Sequence, residues 1–175
     1  MPTTTRLLLA DHHPPILDWL RRLLERGPAC EVVGQVRRAE AAIAEAAALQ
    51  PDLLILAYGL PGPPTAEVVR QVRERSPSTR ILVYTGFPRA ACLREVRGLG
   101  VAGYLSKAES PETVLEAIGQ VARGGTWFPR DVPERPVPDA VPNPALTERE
   151  REVLRLLVEG RTDRENIGAA ATLPA

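Results

Sequence analysis

The sequence predicts an α/β fold built on a doubly wound parallel sheet. Short apolar runs alternate with helical patterns five times along the first 125 residues. Strands that alternate with helices in this way form a parallel sheet with helices on both faces. Polar or charged residues follow several of the runs directly. In such sheets the working site lies outside the carboxyl ends of the strands, so these polar residues are the ones to examine.

The five predicted strands are short runs dominated by aliphatic residues, as is typical of strands buried on both faces of a parallel sheet. They are Leu7–Leu9, Glu31–Val33, Leu53–Leu56, Ile81–Tyr84 and Gly103–Leu105. The candidate site residues lie at or just after the carboxyl ends of these runs, and they are Asp11, His12, Ala57, Thr85 and Lys107.

The segments between the strands carry apolar residues three or four positions apart, which predicts amphipathic helices. The second of these segments, Ala39–Leu49, is rich in alanine, the residue with the highest helix propensity. The fifth begins at Ser110 and Pro111, because serine is a good N-cap and proline suits the first helical position. It ends at Gly124 and Gly125.

A proline-rich segment separates this domain from the rest of the chain. Six prolines lie between residues 129 and 144, a density that precludes a helix and predicts a semi-rigid, extended linker. We therefore expect a domain over 1–125, a linker over 126–145 and a separate segment over 146–175. In the last segment, Thr147–Glu150 has the pattern of a helix capping box.

Charge and composition exclude several classes of function. The chain has 22 basic and 22 acidic residues, so no global field marks it as a binder of nucleic acid or membranes. No run reaches the roughly 18 apolar residues of a membrane span. The N-terminus lacks a signal-peptide pattern, and the two cysteines form no metal-spaced pair, so a cytoplasmic protein is predicted. Lys107 is the only lysine in the chain, which singles it out.

Five local motifs together resemble one family. Leu8–Pro14 resembles the first strand and acidic turn of bacterial receiver domains, and Pro51–Gly62 resembles their third strand and following loop. Thr85 ends the fourth strand as the receiver switch threonine does, and Gly103–Lys107 resembles the fifth-strand motif with its lysine. Leu146–Leu154 is similar to the opening of a LuxR-type helix-turn-helix. In their order and spacing, the motifs resemble NarL/FixJ-type response regulators.

The resemblance implies a flavodoxin-like receiver fold with strand order 2-1-3-4-5. In a typical receiver, two carboxylates hold Mg²⁺, which requires oxygen ligands, and a third accepts a phosphoryl group from a histidine kinase. This sequence keeps the first acid, Asp11, but has His12 at the second acidic position and Ala57 at the phosphoacceptor position. We therefore expect weak or absent Mg²⁺ binding, no other cofactor and no phosphorylation. Asp52 is no substitute, because it lies ~16 Å away along the strand.

The remaining site residues each have a functional and a structural interpretation. Lys107 is expected to pair with Asp11 or to contact an anion, rather than being a surface lysine left by chance. A partly exposed pair of this kind contributes only ~0–1 kcal/mol. Thr85 either binds an anion or caps the strand end. Tyr84 and Tyr104 are candidate switch aromatics, although packing in the core or against a partner is the more common role of such residues.

Two further kinds of site are not predicted. His12 and His13 next to Asp11 suggest Zn²⁺, but adjacent histidines seldom converge on one ion and no third nitrogen or sulfur ligand is evident. Specific DNA binding needs a recognition helix in the major groove, and the resemblance places that helix about where the sequence ends. Residues 146–175 carry five arginines against six acidic residues, which leaves no basic patch for phosphate contacts.

These features favour an atypical response regulator that is not an enzyme, because no nucleophile–base pair, metal set or glycine-rich phosphate loop is found. It would act through protein–protein contacts, as a homodimer or as a heterodimer with another response regulator. Contact with a histidine kinase would not lead to phosphotransfer. Two alternatives stay open: a truncated form of a DNA-binding LuxR-type transcription factor, and a small-anion sensor that uses the vacated acid pocket.

Overall fold

A computed structural model of the chain describes residues 4–27, 30–86 and 90–129. Five strands alternate with five helices along these residues. The strands are β1 (Thr5–Ala10), β2 (Cys30–Val36), β3 (Leu53–Ala57), β4 (Arg80–Thr85) and β5 (Gly103–Ser106). The helices are α1 (Pro14–Leu24), α2 (Ala39–Leu49), α3 (Thr65–Arg75), α4 (Ala90–Gly98) and α5 (Pro111–Ala122). The helix-turn-helix predicted for 146–175 lies outside the described residues.

The strands form one parallel sheet in the order β2-β1-β3-β4-β5. The predicted fold class and strand order are confirmed. β3 is the central strand, and all five of its residues are buried because helices cover both faces of the sheet. The parallel pairing brings the carboxyl ends of the strands to one edge, where Ala10 lies opposite Leu56 and Ala57 lies opposite Tyr84.

The second strand is longer than the predicted run Glu31–Val33. It extends from Cys30 to Val36, and its pairing register with β1 shifts between Leu7 and Leu8. β2 is one of the two edge strands, and most of its residues are partly or fully exposed. An exposed edge strand does not need a continuous apolar run. Because β2 contains polar and glycine residues, the apolar pattern predicted only part of its length.

Two apolar layers cover the sheet, one on each face. Leu8 and Leu54 point into a layer that contains residues of α2, α3 and α4. Leu9 and Ile55, their neighbours along the strands, point into the other layer, which contains residues of α1 and α5. This alternation follows the two-residue period of a strand. No helix within the described ranges is long and apolar enough to span a bilayer.

The fold continues past Gly125, beyond the predicted start of the linker. The Trp127 N–H donates to the Ala102 carbonyl at 3.0 Å, and the Trp127 carbonyl accepts from the Tyr104 N–H at 2.8 Å. The Trp127 side chain packs against the layer that contains α5, and Phe128 packs against the opposite layer. Residues 126–128 therefore belong to the folded domain, and Trp127 pairs with Gly103 in an isolated parallel bridge. The linker predicted over the following residues lies outside the described part of the chain and stays a prediction.

We expect truncation after Gly125 to destabilise the domain and truncation after Pro129 to leave it intact. The shorter fragment loses Trp127 and Phe128, so it exposes apolar surface on both faces of β5 and leaves backbone groups of β5 unpaired. The expected loss is about 3 kcal/mol in the free energy of unfolding. Urea unfolding of fragments 1–125 and 1–129, followed by circular dichroism, measures the difference. Equal unfolding midpoints would show that the domain ends at Gly125.

Candidate functional site

The carboxyl edge of the sheet brings four of the predicted site residues together. Asp11 follows β1, Ala57 ends β3, Thr85 ends β4 and Lys107 follows β5. These strands are parallel, so their carboxyl ends meet at the same edge. The Lys107 backbone N–H donates to the Thr85 carbonyl at 2.7 Å. This bond fixes the backbone from which the lysine side chain reaches across the edge.

Lys107 and Asp11 form an ion pair across this edge. The Lys107 ammonium donates to Asp11 Oδ2, and its nitrogen lies 5.5 Å from the centroid of the Tyr84 ring. The side chain of Asp11 is 2% exposed and that of Lys107 is 14% exposed. The structure therefore contains the pair that the sequence predicts, but the pair is largely buried. Removing one partner of a buried pair lowers the free energy of unfolding more than removing one partner of a surface pair, because it leaves a buried charge unpaired.

His13 also stabilises the ionised form of Asp11. The His13 backbone N–H donates to Asp11 Oδ1 at 2.9 Å, and the ring Nδ1 lies 3.0 Å from the same oxygen. Burial by itself raises the pKa of Asp11, but the hydrogen bonds from Lys107 and His13 outweigh it and hold the pKa below its ordinary value. Asp11 is therefore a buried carboxylate with both oxygens engaged.

His12 lies beside this ion pair. Burial, together with the nearby His13, lowers the pKa of His12, so its ring is neutral near pH 7. Its Nδ1 is buried and has no hydrogen-bond partner among the described residues. The two histidine rings lie 3.8 Å apart, and one donor atom from each lies within 4.8 Å of an Asp11 oxygen. The expectation that adjacent histidines seldom converge on one ion, and with it the absence of a bound metal, stays a prediction.

The groups at this edge do not fit Mg²⁺, the ion that the resemblance implies. Mg²⁺ takes oxygen ligands in near-octahedral geometry. Of the three positions that carry the carboxylates of a typical receiver, only Asp11 has one, and Lys107 and His13 hold both of its oxygens. His12 offers nitrogen, and Ala57 offers a methyl group.

Ala57 lies at the centre of this edge and is 1% exposed. Its methyl group packs within the layer that contains α2, α3 and α4, and a methyl group cannot accept a phosphoryl group. Asp52 lies at the opposite end of β3, where its Oδ2 accepts from the Arg6 backbone N–H at 2.7 Å. As the sequence indicates, Asp52 is on the wrong edge of the sheet to replace an acid at Ala57.

The candidate switch aromatics, Tyr84 and Tyr104, are both fully buried. Tyr84 packs in the layer that contains α1 and α5, and Tyr104 packs in the opposite layer. Burial and the nearby Asp11 carboxylate raise the pKa of Tyr84 to about 12. Thr85 is also buried. These positions favour the packing interpretation, and a switching role for the tyrosines stays a prediction.

The sequence did not predict a contact between β3 and α4. Tyr58, the residue after Ala57, donates its hydroxyl to Glu95 Oε2 on α4 at 2.9 Å. Contact with the Cys92 side chain, burial and the Glu95 carboxylate raise the pKa of Tyr58 well above its ordinary range. The tyrosine at the strand end was visible in the sequence, but no local pattern indicates a partner in a helix three elements later.

The fold and this edge define a receiver-type regulatory domain. A family model described as "Response regulator receiver domain" matches residues 7–119, and the chain belongs to this family. Its relatives place it more closely, as a response regulator of the NarL/LuxR family involved in two-component transcription regulation.

Three similar proteins illustrate this placement. The nitrate/nitrite response regulator protein NarL of Escherichia coli K12 is 31% identical over 162 residues, which cover 88% of this chain and 75% of NarL. A LuxR-family two-component response regulator from Aurantimonas sp. SI85-9A1 is 30% identical, with a TM-score of 0.68 over 71% of this chain and 89% of that one. RcsB of Salmonella enterica serovar Typhimurium, solved bound to a promoter with a phosphomimetic, is 27% identical, with a TM-score of 0.68 over 90% of this chain and 78% of that one.

Proposed function

We propose that this response regulator acts without aspartyl phosphorylation, through protein–protein contacts. The observation that carries the proposal is that the carboxyl edge of the sheet has no carboxylate available to accept a phosphoryl group. Lys107 is paired with Asp11, and a buried methyl group occupies the position of the phosphoacceptor at Ala57. Without an acceptor carboxylate, any switching has to come from a partner, a ligand or a change in concentration. Any histidine kinase contact would occur without phosphotransfer, and the protein would act in the cytoplasm without being an enzyme.

A second copy of this chain is the partner that we propose first. α1 carries Ile16, Trp19 and Leu23, which are partly exposed and lie on one helix face because they are three and four residues apart. Leu115 of α5 is also partly exposed. An apolar surface of this kind is consistent with a protein interface. Dimers are also the form in which RcsB was solved on DNA. A heterodimer with another response regulator would use the same chemistry.

Sedimentation velocity of the full chain, with and without acetyl phosphate and Mg²⁺, tests this proposal. We expect a dimer whose dissociation constant is the same in both conditions, because no acceptor links the phosphodonor to the interface. Leu23→Glu should shift the equilibrium toward monomer, and Arg22→Glu, an exposed neighbour on the same helix, serves as the matched control. Dimerisation that requires the phosphodonor would overturn the proposal, and a monomer in both conditions would remove the homodimer from it.

One alternative function has a specific observation in its favour. The alignment with DNA-bound RcsB covers 90% of this chain, so the similarity reaches into the segment that resembles a helix-turn-helix. On this alternative the chain acts as a DNA-binding LuxR-type transcription factor. The small-anion sensor is less favoured, because the ammonium of Lys107 that it requires is already paired with Asp11.

A further inference from the structure

A polar cavity lies at the amino edge of the sheet, on the side away from Asp11 and Lys107. It has a volume of about 270 Å³ and lies between the start of β4 and the loop that leads into β5. Its polar lining comes from Arg73 of α3, Ser78 and Thr79 before β4, Arg80 of β4 and Thr126 after α5. With the loop 100–102 before β5, four separate segments of the chain therefore converge on one small, polar space.

The charge of this cavity is positive and uncompensated. Both Arg73 and Arg80 line it, and no lining residue is acidic. Neither arginine forms an ion pair with an acidic residue among the described ranges, whereas Arg21 and Arg70 pair with glutamates on their own helices. Two guanidinium groups on one cavity, without a carboxylate, are complementary to an anion.

Backbone contacts hold Arg73 in place. Its Nη1 donates to the Leu99 carbonyl at 2.5 Å. The approach depends on Gly100, where a Cβ atom would lie 2.6 Å from the same nitrogen. A guanidinium has five N–H donors, so this bond orients Arg73 and leaves donors free for a ligand. Arg73 is exposed, so these donors are accessible from solvent.

Arg80 is held in a similar way, but one of its N–H donors has no acceptor among the described residues. Its Nη2 donates to the Gly125 carbonyl at 2.5 Å. Its Nε is buried and has no partner among the described residues, an arrangement that native proteins usually avoid. An acceptor bound by Arg80 would satisfy this donor, since Nε and a neighbouring Nη together form a two-pronged fork for an oxyanion.

We propose that this cavity binds a phosphate group, free or as a small phosphomonoester. A dianion balances the two guanidinium charges, Ser78 and Thr126 add hydroxyl donors, and the volume admits only a small ligand. The site is separate from the carboxyl edge, so it gives the chain a way to respond to phosphate compounds that does not need an acceptor at Ala57.

A titration of the ¹⁵N-labelled full chain with sodium phosphate at constant ionic strength, followed by NMR, tests this site. We expect saturable shifts of the Gly100, Ala102 and Thr126 amides, with Ser106 and Lys107 unchanged. Glycerol 3-phosphate in a parallel titration distinguishes the two sources. Tighter binding of the ester assigns the site to phosphorylated metabolites, and equal binding assigns it to free phosphate. Shifts centred on Lys107, or linear shifts without saturation, overturn the proposal.

Variants distinguish phosphate binding in this cavity from a general attraction of phosphate to the positive charges of the chain. Arg73→Gln and Arg80→Lys should each weaken phosphate binding about tenfold or more, because each removes charge-assisted hydrogen bonds. Arg75→Gln, an exposed arginine on the same helix and outside the cavity, should leave the affinity unchanged. Equal loss in Arg75→Gln, or loss in Lys107→Ala, would show that the anion binds elsewhere. The amide shifts of the unaltered chain decide the question if a variant fails to fold.

Discussion

Lys107→Met is expected to lower the free energy of unfolding by about 3 kcal/mol at pH 7, several times the effect of breaking a surface ion pair. Methionine keeps most of the apolar stem and removes the ammonium, so the change isolates the charge. It leaves Asp11 buried, with only His13 to stabilise its ionised form. A buried carboxylate without a counter-charge is the costly outcome.

The pH dependence of this loss identifies its cause. In the unaltered chain the pKa of Asp11 is lowered, so its ionisation stabilises the fold above the ordinary carboxyl pKa, and this contribution disappears as the pH falls through the lowered value. In Lys107→Met, only the hydrogen bonds from His13 still oppose the effect of burial, so the pKa of Asp11 rises relative to the unaltered chain. The variant is therefore weakest near pH 7 and should approach the unaltered chain as the pH falls toward about 4, where Asp11 becomes protonated.

Urea unfolding at pH 7 and pH 5 measures both effects, with Asp11→Asn/Lys107→Met as the matched control. The double variant removes both charges and should recover much of the lost stability, because the penalty comes from one unpaired charge. If Lys107→Met has the same unfolding midpoint as the unaltered chain, the ion pair does not contribute in solution. If the double variant is as unstable as the single one, the loss comes from packing.

The sheet could be predicted from the sequence because its central strands are buried on both faces. Such strands appear as unbroken apolar runs, as Leu53–Leu56 does, and their order followed from the family that the motifs resemble. The strand β2 and the segment at Trp127 could not be predicted in full. β2 is partly exposed and interrupted by polar residues. Trp127 lies two residues before the first proline of the proline-rich segment, and those prolines dominate the local pattern.

The ion pair at the candidate site could be predicted from the sequence, whereas its burial could not. The position of Lys107 and its status as the only lysine indicated the pair with Asp11, because parallel strands bring their ends to one edge. The burial of the pair depends on side chains from several elements, so no local pattern reveals it. The contact from His13 had a usable signal, since an aspartate commonly accepts from the backbone N–H two residues later.

Restoring the acceptor alone is expected to restore phosphorylation poorly. Ala57→Asp supplies a carboxylate at the end of β3, but His12 still offers a nitrogen where Mg²⁺ needs an oxygen. Loss of even an outer-shell partner commonly weakens a metal site by about 10- to 100-fold. We therefore expect Ala57→Asp to be phosphorylated at least about tenfold more slowly than His12→Asp/Ala57→Asp. Equal rates for the two variants would show that His12 does not impede the metal.

Intact-mass measurement of the full, unaltered chain after incubation with acetyl phosphate and Mg²⁺ tests phosphorylation independence most directly. His12→Asp/Ala57→Asp in the same reaction is the positive control, and its failure to react would mean that more than two positions block the chemistry. At the time when this control has gained one phosphoryl group, the unaltered chain should show no change in mass. A stoichiometric phosphoryl adduct on an aspartate of the unaltered chain would contradict the account.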